Sequence, residues 1–205
     1  MSTTAHEPGA EGARNISPLW IVLYLPLHQF IAQTVFGNFV FFYLRVAFLA
    51  LVVVVLLCRR ETAQLRDIFI GRWPHGRRDW MIAGGFIVLV CVLRFFESRL
   101  FHSGMEPLTA LSFIEEAIVP PINEEIVFRG LFLGAMLAYA PRHPWACIVL
   151  STAIFVSCHY LVGSRPPFWT ALTVQSLLYG ACFVRTRCLP LCMLCHGLWN
   201  SILWF

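Results

Sequence analysis

Glu124, Glu125 and Arg129 fall within the six-residue run Glu-Glu-Ile-Val-Phe-Arg, in a 205-residue chain that is 59% hydrophobic and only 13% charged. An ionisable side chain held at membrane depth costs about 3 kcal/mol on insertion scales, so three of them in a turn and a half point to chemistry. Two later segments carry matching polar groups. Phe155-Val-Ser-Cys-His159 places an imidazole in one apolar run, and His196-Gly-Leu-Trp-Asn200 places an imidazole and a carboxamide four apart in the last, hence on one helix face. An acid, two imidazoles and a carboxamide spread over three helices are the groups needed to activate water and to hold an oxyanion.

Helix geometry divides the two acids. Glu125 and Arg129 are four apart, in the favourable acid-before-base order, and form a supporting pair on one face. Glu124 points away by more than a third of a turn and is left to meet another helix. Pro120-Pro121 is expected to end the preceding helical segment and to open a new one, which puts Asn123, Glu124 and Glu125 near a helix N-terminus that favours anions. Gly130 and Gly134 provide a small-xxx-small spacing for close approach of a neighbouring helix.

In this order the motifs resemble the intramembrane glutamic proteases of the CAAX-processing and bacteriocin-processing (CPBP, or Abi) family, whose pattern is EExxxR, then FxxxH, then HxxxN or HxxxD. The resemblance covers roughly 105–205, about half of the chain. It implies hydrolysis of a peptide bond within the bilayer without a covalent enzyme intermediate. Carried over, it makes Glu124 the general base and His159 its helper in placing water. His196 and Asn200 become the oxyanion stabilisers, and Glu125 and Arg129 the support of the site. It implies no cofactor. The substrate class is a membrane protein or peptide, such as one with an apolar C-terminal sorting tail or a leader peptide.

The elements that must carry these residues are read from hydropathy. Mean hydropathy is +0.72, which indicates an integral membrane protein. Apolar runs at about 18–36, 39–57, 80–96, 121–140, 145–162, 169–184 and 189–205 are continuous rather than alternating. They are expected to form an all-α polytopic bundle of about seven transmembrane helices, with a short interfacial or half helix before the acidic motif. Residues 1–17 read as a disordered cytoplasmic leader and 18–205 as a single membrane domain.

All fifteen basic residues are arginine. They concentrate in 58–79, 141–144 and 185–188, which are expected to be cytoplasmic, with the N-terminus inside. The net charge of +4 is thus assigned to topology rather than to nucleic-acid binding. The compact, all-arginine chain suits a bacterial cytoplasmic (inner) membrane. Trp20, Trp80, Trp145, Trp169, Trp199 and Trp204 are expected as interfacial anchors.

Other polar features receive plainer readings. Most of the eight cysteines lie in apolar runs and behave as small packing residues. Cys188, Cys192, Cys195 and His196 make a weak ligand set. Glu115-Glu116 lacks a following arginine partner. Arg45 is a snorkelling or pairing residue, and His28, Gln29, Gln33 and Asn38 are helix-to-helix hydrogen-bonding groups. Three rival functions fit the same residues. Glu124, His159 and His196 also match a His₂Glu zinc set; the cluster also suits a non-enzymatic scaffold or immunity-type protein; intramembrane Glu and His also build ion relays.

Overall fold

The computed structural model describes residues 71–101, 113–161 and 166–201. The leader, the runs at 18–36 and 39–57, Arg45 and the polar groups of the first hairpin lie outside the described residues. Within them the chain forms five helices and no strand. These are α1 (Gly76–Phe101), α2 (a continuous helix over 114–139), α3 (Pro144–Leu161), α4 (Pro166–Thr186) and α5 (Leu189–Ser201). They correspond to the last five expected runs. Among the described residues α1 alone, over Gly76–Arg99, is by itself both long and apolar enough to cross a membrane, and the stretch Pro144–Tyr160 of α3 is apolar but shorter.

Each boundary has a local cause. Asp79, in the first turn of α1, accepts a hydrogen bond from the His75 backbone N–H at 2.9 Å, which satisfies an otherwise orphaned donor and places a carboxylate on the positive helix end. α4 and α5 are joined by a turn in which Arg187 adopts φ 52°. There the Thr186 hydroxyl accepts from the Cys188 backbone N–H at 3.2 Å, substituting for the helical partner lost at the turn. Arg72 N–H donates to the Arg187 carbonyl at 2.5 Å. Gly71, itself at φ 67°, packs so closely on that carbonyl that a Cβ would collide with it.

These contacts bring the arginine-bearing turns together. Segment 71–75 lies against the α4–α5 turn. α3 and α4 run antiparallel, because Ser176 Oγ donates to Thr152 Oγ1 at 3.2 Å and Gly180 lies against Ile148 further along. The start of α3 therefore sits at the same end as the close of α4. The turns at 71–78, 140–143 and 185–188 share one end of the bundle, the arrangement that the arginine distribution requires of a single membrane side.

α2 departs from the expected layout. Helical backbone continues through Pro120-Pro121 rather than stopping there, so that from 114 onward the described residues run unbroken into the acidic motif. The prolines open an α-helical segment, Val119–Glu125, directly after a widened π-type turn, Ile114–Ile118. A wide turn absorbs the missing proline N–H groups and their ring bulk without ending the helix. Glu124 and Glu125 consequently lie in the middle of a long helix, not near its N-terminus. A second π-type segment, Ile126–Leu133, follows at once. Ser151 Oγ donates to the Phe128 carbonyl within it at 3.2 Å, satisfying an acceptor from the neighbouring helix.

Every residue from Asn123 to Leu133 is buried, so this stretch of α2 is the central rod of the bundle. One apolar cluster joins it to α1, α3, α4 and α5 through residues such as Val90, Leu133, Ile148, Phe183 and Leu189. A second, around Phe128, Phe132, Phe155 and Cys158, fastens it to α3. Close backbone approach occurs at Gly197, where a Cβ would stand 2.7 Å from the Ala117 carbonyl, and at Gly180 against Ile148. Gly134 was expected to serve that purpose, but a Cβ there would meet only the Arg129 carbonyl of its own helix, at 3.5 Å. The outer face of α1 exposes Trp80, Met81, Val88, Leu89, Val92, Phe95 and Phe96, an apolar surface suited to lipid.

Candidate active site

Three helices bring their polar residues to one point. Glu124 and Glu125 come from the central part of α2, His159 from the C-terminal end of α3, and His196 from α5. Glu124 Oε2 lies 3.8 Å from His159 Nε2 and 4.0 Å from His196 Nε2. Glu125 Oε1 lies 2.8 Å from His196 Nδ1 and accepts from Arg129 Nη1 at 3.2 Å. Neighbouring acids thus take different work: Glu124 faces both imidazole Nε2 atoms, and Glu125 binds the far side of one ring. Asn200 follows one turn after His196 on α5 and is partly buried.

The partners fix how each imidazole is presented. His159 Nδ1 lies 2.9 Å from the Phe155 carbonyl. A carbonyl only accepts, so Nδ1 carries the hydrogen and Nε2 turns to Glu124. His196 Nδ1 donates to the Glu125 carboxylate, whose negative charge is matched by Arg129, and again Nε2 turns to Glu124. Phe155 and Phe128 meet edge to face with centroids 5.0 Å apart, and the Phe155 ring also packs on His159 at 4.3 Å. The FxxxH spacing therefore supplies both the carbonyl and the ring that hold the imidazole.

Arg129 is 1% exposed yet well supplied with partners. Nη2 donates to Ser176 Oγ at 2.9 Å and to the Ser176 carbonyl at 3.2 Å, and Ser176 passes its hydroxyl to Thr152. The guanidinium also lies over the Phe155 and Tyr179 rings, 4.9 and 5.4 Å from their centroids. A charge so enclosed requires this kind of compensation. The network runs from α2 through α4 to α3 and locks Glu125, and with it His196, in place.

Several participants do not show in the sequence. Ser151, Thr152, Ser176 and Tyr179 carry no motif, and small hydroxyls in apolar runs look like ordinary packing. Buried Arg94 pairs with the partly buried Glu97 on α1 and lies over the Trp199 ring at 5.7 Å. Arg94 had a visible signal, a charge inside the apolar run 80–96. Trp199 is 5% exposed and belongs to this interior contact rather than to an interfacial belt, whereas Trp80 and Trp145 are exposed near helix ends as expected. The seven described cysteines are free thiols, six of them in the main core cluster or the smaller one around Phe155. Among the described residues no group of three or more His, Cys, Asp and Glu is arranged to hold a metal ion. The side chains of Glu115 and Glu116 lie outside the described residues.

The helical bundle thus encloses a Glu–His–His centre supported by the Glu125–Arg129 ion pair. Residues 106–202 match the family model described as Type II CAAX prenyl endopeptidase Rce1-like. The family is one of membrane proteases. No curated protein and no solved structure matches the chain.

Proposed function

We propose that this chain is an intramembrane endopeptidase of the glutamic type, which hydrolyses a peptide bond of a membrane-associated protein or peptide with Glu124 as general base. The observation that carries this reading is the approach of two imidazole Nε2 atoms to one carboxylate oxygen, at 3.8 and 4.0 Å, from helices far apart in sequence. These separations are too long for direct hydrogen bonds and short enough for one water, about 2.8 Å from each atom, to touch all three.

Proton counting then assigns the roles. Such a water has two protons, while Glu124 and two neutral Nε2 atoms are three acceptors, so one of the three groups holds an extra proton. Placing it on His196 gives the ring a donor on each side, one to Glu125 and one to the developing oxyanion. It also balances the buried charges, with two carboxylates against Arg129 and one imidazolium. Glu124 takes a proton from the water as it attacks the scissile carbonyl, and His159 Nε2 orients that water. Asn200, on the same α5 face as His196, contributes its amide to the oxyanion, and the proton on Glu124 passes to the leaving amine. Glu125 and Arg129 hold the arrangement. No cofactor takes part.

An apolar C-terminal sorting tail or leader peptide is the substrate class proposed, because the exposed outer face of α1 suits lipid and a membrane-embedded peptide reaches the site laterally. The setting proposed is a bacterial inner membrane with the arginine turns, and the N-terminus, on the cytoplasmic side. The test compares peptide termini by mass spectrometry in matched membranes holding wild type or Glu124→Gln. Cleavage products present only with wild type support the reading. Identical profiles with equal expression overturn it in favour of a scaffold, and stoichiometric zinc with chelator-sensitive cleavage overturns the metal-free mechanism.

A further inference from the structure

Tyr179, on α4, is fully buried and packs against His196 and Arg129. Its ring lies 5.0 Å from the His196 ring with the planes only 27° apart. Arg129 lies over the same ring at 5.4 Å. Its carbonyl accepts from Cys192 Sγ at 3.7 Å, one turn before His196 on α5. Its hydroxyl oxygen, by contrast, is buried and has no hydrogen-bond partner. A tyrosine in an apolar interior normally finds a partner for that group, so the ring rather than the hydroxyl carries the contact.

A single hydrogen bond from Nδ1 to Glu125 sets the position of one edge of His196 and leaves the ring plane free to turn. Stacking removes that freedom, because an imidazole held parallel to a fixed ring cannot swing Nε2 out of the line toward Glu124. We infer that Tyr179 is a positioning residue for His196: its ring fixes the plane of the imidazole so that Nε2 points to Glu124 and the reacting carbonyl. The electron-rich ring face also suits the imidazolium form of His196. This inference rests on the peptide-hydrolysis reading for its catalytic consequence, though not for the geometry of the ring.

The experiment uses the full chain as wild type, Tyr179→Phe and Tyr179→Leu, with Tyr179→Met standing in for the leucine variant if that fails to fold. Two readouts are taken: kcat and KM on a peptide cleaved by wild type, and the ¹⁵N-imidazole spectrum, with the His196 Nδ1–H signal assigned by its loss in His196→Gln. The phenylalanine variant is expected within about twofold of wild type in both constants, with the signal intact. The leucine variant is expected to lose about tenfold to a hundredfold in kcat with little change in KM, the size of effect that misplacing a reacting group causes, and to lose or broaden the signal. A leucine or methionine variant with wild-type kcat and an unchanged signal overturns the proposal, as does a loss confined to KM. If wild type cleaves nothing, the protease reading fails, and the Nδ1–H signal still decides the role of Tyr179.

Discussion

Among the described residues two arginines are enclosed and paired with an acid of their own helix, and only one of the two pairs reaches the Glu–His–His centre. Glu125–Arg129 and Arg94–Glu97 are both pairs within a helix, four and three residues apart, and both arginines are almost completely enclosed. Arg129 reaches Ser176 on α4, and Glu125 reaches His196 on α5, so the pair ties α2 to two other helices. Arg94–Glu97 closes on itself. Among the described residues Arg94 gains the Trp199 ring from another helix, while both arginines leave Nε without a hydrogen-bond partner. A buried charge is thus a weak indicator of chemistry; what distinguishes the first pair is its connection to groups from three helices that converge on a second carboxylate, Glu124.

That distinction is breakable by substitution. Glu124→Gln should lower kcat about a thousandfold and His159→Gln about a hundredfold, the range for removing a general base or its helper. Stability should barely change in either, as checked by thermal unfolding beside the cleavage assay. Arg129→Met should destabilise the fold by about 3 kcal/mol or more, because it strands the Glu125 carboxylate in the interior. Denaturant titration in micelles measures that effect. The double variant Glu125→Gln with Arg129→Met should recover part of the stability and none of the activity, since the His196 Nδ1 partner has changed.

Gly197→Ala tests the packing between site and scaffold. An added Cβ 2.7 Å from the Ala117 carbonyl forces α5 away from α2, and overpacking of this kind costs about 1–3 kcal/mol. Activity is expected to fall with stability, because the shift moves His196. The smallest effect belongs to the second ion pair. Arg94→Met with Glu97→Met should leave stability within about 1 kcal/mol, since an apolar pair replaces a buried ionic one at little net cost. Cleavage should stay within a fewfold of wild type. A loss comparable to that of Glu124→Gln would erase the contrast between the two pairs and place Arg94 in the site.

Much of the site was legible because its residues repeat at helical spacing. Glu125 and Arg129 at i,i+4, Phe155 and His159 at i,i+4, and His196 and Asn200 at i,i+4 each share a face wherever the backbone is helical, so their local pairings follow from the chain alone. The separation of Glu124 from the Glu125–Arg129 pair follows in the same way. The effect of Pro120-Pro121 did not follow, because a proline prohibits an α-helical hydrogen bond but leaves open whether the chain stops or widens by one residue. Packing of Ile114–Ile118 against α5 at Gly197 favours the wider turn, and that contact joins segments remote in sequence.

Composition and periodicity by themselves determined that the chain is helical, apolar and arginine-flanked, and which polar residues share a face. Tertiary structure alone decided which faces meet. It brought His159 and His196 to one oxygen of Glu124, gave Arg129 the hydroxyl of Ser176, laid Tyr179 on His196, and drew Trp199 into the interior beside Arg94. The physical reason is that an i,i+4 relation is enforced by the backbone of one helix. A contact between helices depends instead on the packing of several surfaces at once, and a serine, a tyrosine or a glycine that completes such a surface carries no periodic mark of it.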